Sequence, residues 1–254
     1  MTPHPDHLKT LRRFAKLDTY SPNHEISMNA LAQGTPGLTK YLPRKGSWIQ
    51  TYTGRQFWPL DARPDEIDIL DVAHALSMQC RYTGHCIRFY SVAEHCVLIA
   101  LMAPRHLRKV ALHHDDPEAY LTDVAKPIKP ELKGYEEIED DLYGVIAYAF
   151  NLPESIPFIV KDMDRRALLD ERDQNMADPP ADWAIEGEGL GITLQFWSPK
   201  QAKHAFLTLH KAIEAGDEVP FELHPWFLAG PVRLAAGRAF NRLYGFAADL
   251  WKDL

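Results

Sequence analysis

The chain has 254 residues, 46% of them hydrophobic, and a formal net charge of -7. That length and apolar content suit one sizeable core and one main domain. The acidic balance and the lack of a long basic run exclude duplex DNA or RNA as the main partner, because such binding rests on clustered Lys and Arg.

In chain order, residues 1–46 mix Pro, Gly, Asn and His around one basic amphipathic run, LKTLRRFAKL, and read as an N-terminal arm or extension. The core is expected over 47–220. It opens on TYTGRQFW, an alternating strand pair around Thr53-Gly54, which predicts a small β-hairpin near residues 48–59. Helical periodicity then dominates. Helices are expected at about 70–80, 91–103, 105–115, 131–150, 155–176 and 199–215. DPPADWAIEGEGLG, from Asp178, reads as a loop that covers a site or an interface. Residues 221–254 form a C-terminal extension with a helix at about 231–252. Its apolar face holds Leu234, Phe240, Leu243 and Ala247, opposite Arg233, Arg238 and Arg242. Core packing or self-association fits it better than a membrane surface, which Asp249 and Asp253 would oppose. The expected fold class is all-α.

No run of eighteen uninterrupted apolar residues and no signal-peptide pattern is found, so a cytoplasmic protein without a membrane partner is expected. The three cysteines, Cys80, Cys86 and Cys96, form no CxxC and read as free thiols of a reducing compartment.

The segment ALHHDDPEAYLTD carries the chemistry. His114-Asp115 joins His95 upstream, in SVAEHC, and Asp164 downstream, in VKDMDRRAL. All three stretches read as helix, and three helices can point two imidazoles and two carboxylates at a common point. Such a mixed nitrogen and oxygen set suits one divalent transition metal, among Mn, Co, Fe, Ni and Zn. His113 faces another side of its helix and is no ligand. Cys96, about 100° around the helix from His95, reads as core rather than ligand. His74 reads as a core or outer-sphere histidine. Asp116 either adds an exposed charge, the simpler account, or helps to hold a second ion.

The ordered series TYTGRQFWPLD, DVAHALSMQCRYTGH, FYSVAEH, ALHHDDPEAYLTDVAKPIK and VKDMDRRAL resembles the HD superfamily of metal-dependent phosphohydrolases. The likeness is to its 5'-deoxynucleotidases and its phage dATP triphosphohydrolases, and runs from about Trp48 to about Ala215. It implies an HD-domain helical bundle and gives His95, His114, Asp115 and Asp164 the role of metal ligands. Glu118 matches the position that orients or activates water, and Asp123 a second carboxylate near the leaving oxygen. Without the metal series both read as solvated charges beside Pro117. Arg81 matches an arginine on the substrate phosphate or sugar edge, where a guanidinium offers bidentate donors that a lysine cannot. Lys126 and Lys129, bracketing Pro127, are assigned to phosphate contact. Tyr82 either stacks on a base or packs against the metal helix; His85 and Arg88 are weaker candidates.

The implied reaction is phosphate-ester hydrolysis of a (deoxy)nucleotide. It converts a dNMP to nucleoside and phosphate, or a dNTP to nucleoside and triphosphate. The alternatives are a phosphodiesterase, a hydrolase of another small phosphate ester, or a non-catalytic nucleotide-sensing domain. Relatives of this kind also imply a homo-oligomer, dimer or larger.

Overall fold

A computed structural model of the chain describes residues 44–223. The basic run of the N-terminal arm and the helix expected at 231–252 lie outside the described residues.

The hairpin is present but short. Strand β1 (Ile49–Gln50) pairs antiparallel with β2 (Gln56–Phe57), Ile49 opposite Phe57. The turn between them is wider than Thr53-Gly54 alone predicts. Asp71 fixes it from the first helix, accepting from Thr53 N–H at 2.7 Å and from Thr53 Oγ1 at 2.9 Å.

Among the described residues seven α-helices follow: α1 (Ile69–Met78), α2 (Val92–Met102), α3 (Arg108–Leu112), α4 (Glu118–Leu121), α5 (Tyr135–Phe150), α6 (Phe158–Asn175) and α7 (Pro199–Ala215). The all-α class holds, and the periodicity locates six of the seven. The single-turn α4 is too short to show a period. The helix expected to 115 ends at Leu112, and His113 to Pro117 run as a turn. His114 and Asp115 therefore stand beyond the helix end rather than on its face.

Helix α2 is the axis of the molecule. Ten of its eleven residues are buried, and it packs against α1, α3, α6 and α7. Ser91 caps it, accepting from Glu94 N–H at 3.1 Å, which satisfies one of the first-turn donors that a helix leaves unpaired. Helix α7 has signals at both ends. A capping box joins Ser198 and Gln201, Pro199 opens the first turn, and Gly216 closes the helix at φ 73°, where a side chain would be strained.

Two polar ties fix the later chain to α2 and α6. Glu94 accepts from the backbone N–H groups of Gln195 (2.7 Å), Phe196 (2.8 Å) and Trp197 (2.7 Å). Burial still pushes its carboxyl up to about 7, against the pull of those three donors. The Asp178 loop runs along α6: Arg165 donates to Glu186 O at 2.6 Å, and Arg166 to Glu188 O and Gly189 O at 3.0 and 2.9 Å. One apolar cluster, from Phe57 to Leu223, fills the space between these helices. Among the described residues no helix is long and apolar enough to cross a membrane.

Candidate metal centre

His95 from α2, His114 and Asp115 from the turn after α3, and Asp164 from α6 converge. His95 Nε2 lies 3.1 Å from Asp164 Oδ1 and 3.5 Å from Asp115 Oδ2. His114 Nε2 lies 3.4 Å from Asp115 Oδ2 and 3.9 Å from Asp164 Oδ1. Ligands placed about 2.0–2.2 Å from one ion stand about 3.0–3.5 Å apart; three of these four separations match that spacing, and His114 to Asp164 is wider.

The outer sphere makes the case stronger. His95 Nδ1 is 2.6 Å from Glu171 Oε1, and His114 Nδ1 is 2.8 Å from Ala111 O. A carbonyl oxygen only accepts. Glu171 is likewise an acceptor, because Arg81 and His95 overcome its burial and hold its carboxyl at about 2. Both rings therefore carry hydrogen on Nδ1 and turn a bare Nε2 towards the centre, the tautomer a metal requires. Both Nε2 atoms are buried without a hydrogen-bond partner, a costly state unless a cation fills the gap.

The local field points the same way. Burial opposes protonation of His114, yet attraction from Asp115 raises it well above the usual imidazole range, so its Nε2 draws a positive charge, as a proton or as a metal ion in the proton's place. Burial would raise Asp164, but the closeness of the His114 and His95 rings keeps it well below the ordinary carboxylate range. The centre attracts positive charge. The donor set His95, His114, Asp164 is close enough to share one ion. Cys96 is buried in the core as expected, but its thiol also lies near His114 and Asp115 in a second possible set.

Glu118 and Asp123 border the centre, at the two ends of the segment around α4. Glu118 is 6% exposed and its Oε2 is buried without a partner, which rules out the solvated-charge reading. Burial, then repulsion from Asp115 and Asp123, raises its carboxyl well above the usual value. Asp123 is raised by burial, partly countered by Arg81. Gln79 holds both ends of this segment. It donates from Nε2 to Glu118 O (2.8 Å) and accepts at Oε1 from Asp123 N–H (2.9 Å).

The expected phosphate contacts fare unevenly. Arg81 is buried, its Nε 3.2 Å from Glu171 Oε2 and Nη1 3.6 Å from Asp115 Oδ2. It braces the centre from behind a ligand. Tyr82 donates its hydroxyl to Glu171, with the Trp183 ring 6.0 Å away. Lys129 Nζ is 2.8 Å from Glu139 and 3.9 Å from Glu118 Oε1, so it reaches the margin of the site with its charge already paired. Lys126 is exposed.

Two other expectations, for Asp116 and His74, change. Asp116 is fully buried, 2.6 Å from His113 Nδ1, and not an exposed charge. His113 is no ligand of the centre; its Nε2 lies 3.0 Å from His210 Nδ1. His74 is neither core nor outer sphere: it is half-buried and stacks on Tyr52 at 3.7 Å.

Glu171 is the residue the sequence reading missed. It accepts from Arg81, Tyr82, Tyr90 (3.1 Å) and His95. Its signal was available: it follows Asp164 by seven positions, two turns along the same face of α6.

No family model matches the chain. It is 36% identical over 150 residues to the protein YfdR of Escherichia coli K12, covering 59% of this chain and 84% of that one. It is 35% identical over 190 residues to the protein RCAP_rcc00048 of Rhodobacter capsulatus, covering 66% of this chain and 96% of the other. Neither name states an activity.

Proposed function

We propose that this chain, which belongs to the family of those two bacterial proteins, is a metal-dependent phosphohydrolase of the HD superfamily acting on a (deoxy)nucleotide. The observation that carries the reading is the pair of bare, buried Nε2 atoms of His95 and His114 facing Asp115 and Asp164. These four residues would hold one divalent transition ion. When bound, such an ion lowers the pKa of coordinated water from 15.7 to about 7 and polarises a phosphoryl oxygen.

The remaining work falls to side chains of the chain itself. Glu118 Oε2, buried and unpartnered, takes the proton of the attacking water; its raised pKa brings a carboxylate closer to working pH. Oxygen joins phosphorus as the bond from phosphorus to the leaving nucleoside oxygen breaks. Asp123, also raised, gives the leaving oxygen its proton. Lys129 stands beside Glu118 and offers a positive charge to an incoming phosphate. Arg81 holds Asp115 and Glu171 in place.

The same bond is cleaved in a dNMP, giving nucleoside and phosphate, and in a dNTP, giving nucleoside and triphosphate. The test is hydrolysis of a dNMP and dNTP panel by purified protein with Mn(II) or Co(II). Release of phosphate or triphosphate, abolished by Asp115→Ala, supports the reading. Metal-loaded protein that turns over no nucleotide refutes it.

A further inference from the structure

Cys80 and Cys86 are free thiols, both half-buried, with Sγ atoms 3.4 Å apart. They bracket the segment that carries Arg81 and Tyr82, two of the four donors on Glu171. This segment is closed at its base: Cys80 and Ser91 form an isolated bridge, and Arg81 N–H donates to Tyr90 O at 2.9 Å. Its tip is irregular, with Tyr82 (φ 57°), Thr83 (φ 54°) and Gly84 (φ 79°) in the left-handed region, which is costly for the two non-glycine residues. Thr83, Gly84 and His85 are exposed, so a small oxidant has access. Cys86 Sγ also lies 3.8 Å from Arg81 O, and a movement of Cys86 is felt at the backbone of Arg81.

We propose that Cys80 and Cys86 are a redox-modification site that closes to a reversible disulfide, and that closure weakens the metal centre through Arg81. A disulfide needs its sulfurs about 2.05 Å apart, so closure from 3.4 Å draws the two sides together by about 1.4 Å. The oxidant is a small-molecule disulfide such as oxidised glutathione. One protein thiolate attacks it, releasing one glutathione thiol and leaving a mixed disulfide. The second protein thiolate attacks the protein sulfur of that bond and releases the other glutathione. Two electrons pass from the dithiol to the reagent, and the two thiol protons end on the two glutathione molecules. Cys96, fully buried, takes no part. The effect on the centre rests on the metal reading above; the disulfide itself does not.

The experiment uses the full chain, reduced and then exposed to excess oxidised glutathione. Intact mass and peptide mapping report the bond, and titration with Co(II) reports the centre. The expected result is the loss of two hydrogens, a linked Cys80–Cys86 peptide and a free Cys96 thiol. Co(II) affinity should fall about tenfold, the lower end of what disturbing an outer partner costs, and return with dithiothreitol. Cys86→Ser should neither close nor change affinity. Wild-type protein that stays reduced, or that stops at a glutathione adduct, overturns the site. Linked protein with unchanged Co(II) affinity overturns the coupling. Reduced protein that binds neither Co(II), Mn(II) nor Zn(II) removes the metal reading and the coupling together, while the mass measurement still decides the disulfide.

Discussion

His113, His114, Asp115 and Asp116 are four consecutive residues of two types, and they split into two unlike pairs. His114 and Asp115 face His95 and Asp164, with the His114 Nε2 left bare. His113 uses both ring nitrogens elsewhere, Nδ1 on Asp116 Oδ2 at 2.6 Å and Nε2 on His210 Nδ1 at 3.0 Å. Burial, then His113, pulls His210 down to about 4, so this second group is an uncharged ring against a paired acid. The difference lies in unmet valence. A buried histidine whose two nitrogens both have partners is architecture, and one that turns a lone pair into a shared gap is chemistry.

The largest effect should separate the pairs directly. Asp115→Ala or His114→Ala is expected to abolish metal uptake and to lower hydrolysis by about a thousandfold or more, a loss of about 4 kcal/mol in transition-state stabilisation. Asp116→Ala should instead cost about 3 kcal/mol of stability, by leaving His113 buried with one partner fewer. Denaturant unfolding beside Co(II) titration distinguishes the two. If Asp116→Ala abolishes metal binding at unchanged stability, the division between the pairs fails.

Glu171→Gln should weaken metal affinity about 10- to 100-fold, because His95 loses the acceptor that fixes its tautomer. The same carboxylate predicts an acid limit. Its folded value of about 2 lies below the ordinary glutamate value of 4.5. The unfolded chain therefore binds the proton more readily. The stabilisation is complete above about pH 4.5 and is lost as pH falls through about 2, a change on the order of 3 kcal/mol. Unfolding followed from pH 6 to about pH 2 should show a shallower slope for Glu171→Gln than for the wild type. The smallest effect is expected at Lys126, exposed in its Pro-flanked loop. Lys126→Ala should leave hydrolysis within about twofold, whereas Lys129→Ala, beside Glu118, should raise KM by about tenfold.

The sequence showed what has a local signature. Spacing of apolar residues located six helices, and the residue types of His95, His114, Asp115 and Asp164 marked the candidate centre. It could not show where pairing is decided across the fold. The family resemblance assigned Arg81 to substrate, and its partner Glu171, 90 positions away, has no such signature. Gln79 carries no signature at all; its role arises because α1 ends opposite both ends of the α4 segment, 39 and 44 residues later. Asp116 looked exposed for the same reason, since His210 approaches only when α7 packs.

Glu94 has a consequence for how the chain reaches this arrangement. Its carboxylate grips amides 101 to 103 residues downstream, and it sits one residue before His95 on the axial helix. Contacts of such sequence separation close late, because the loop entropy is lost before any contact is gained. Docking of α7 should therefore be a slow step that follows formation of α2. Until it occurs, Glu94 has no donors and His113 lacks His210. In refolding experiments amides 195–197 should gain protection from hydrogen exchange together, after those of α2, and the ability to bind metal should appear with them.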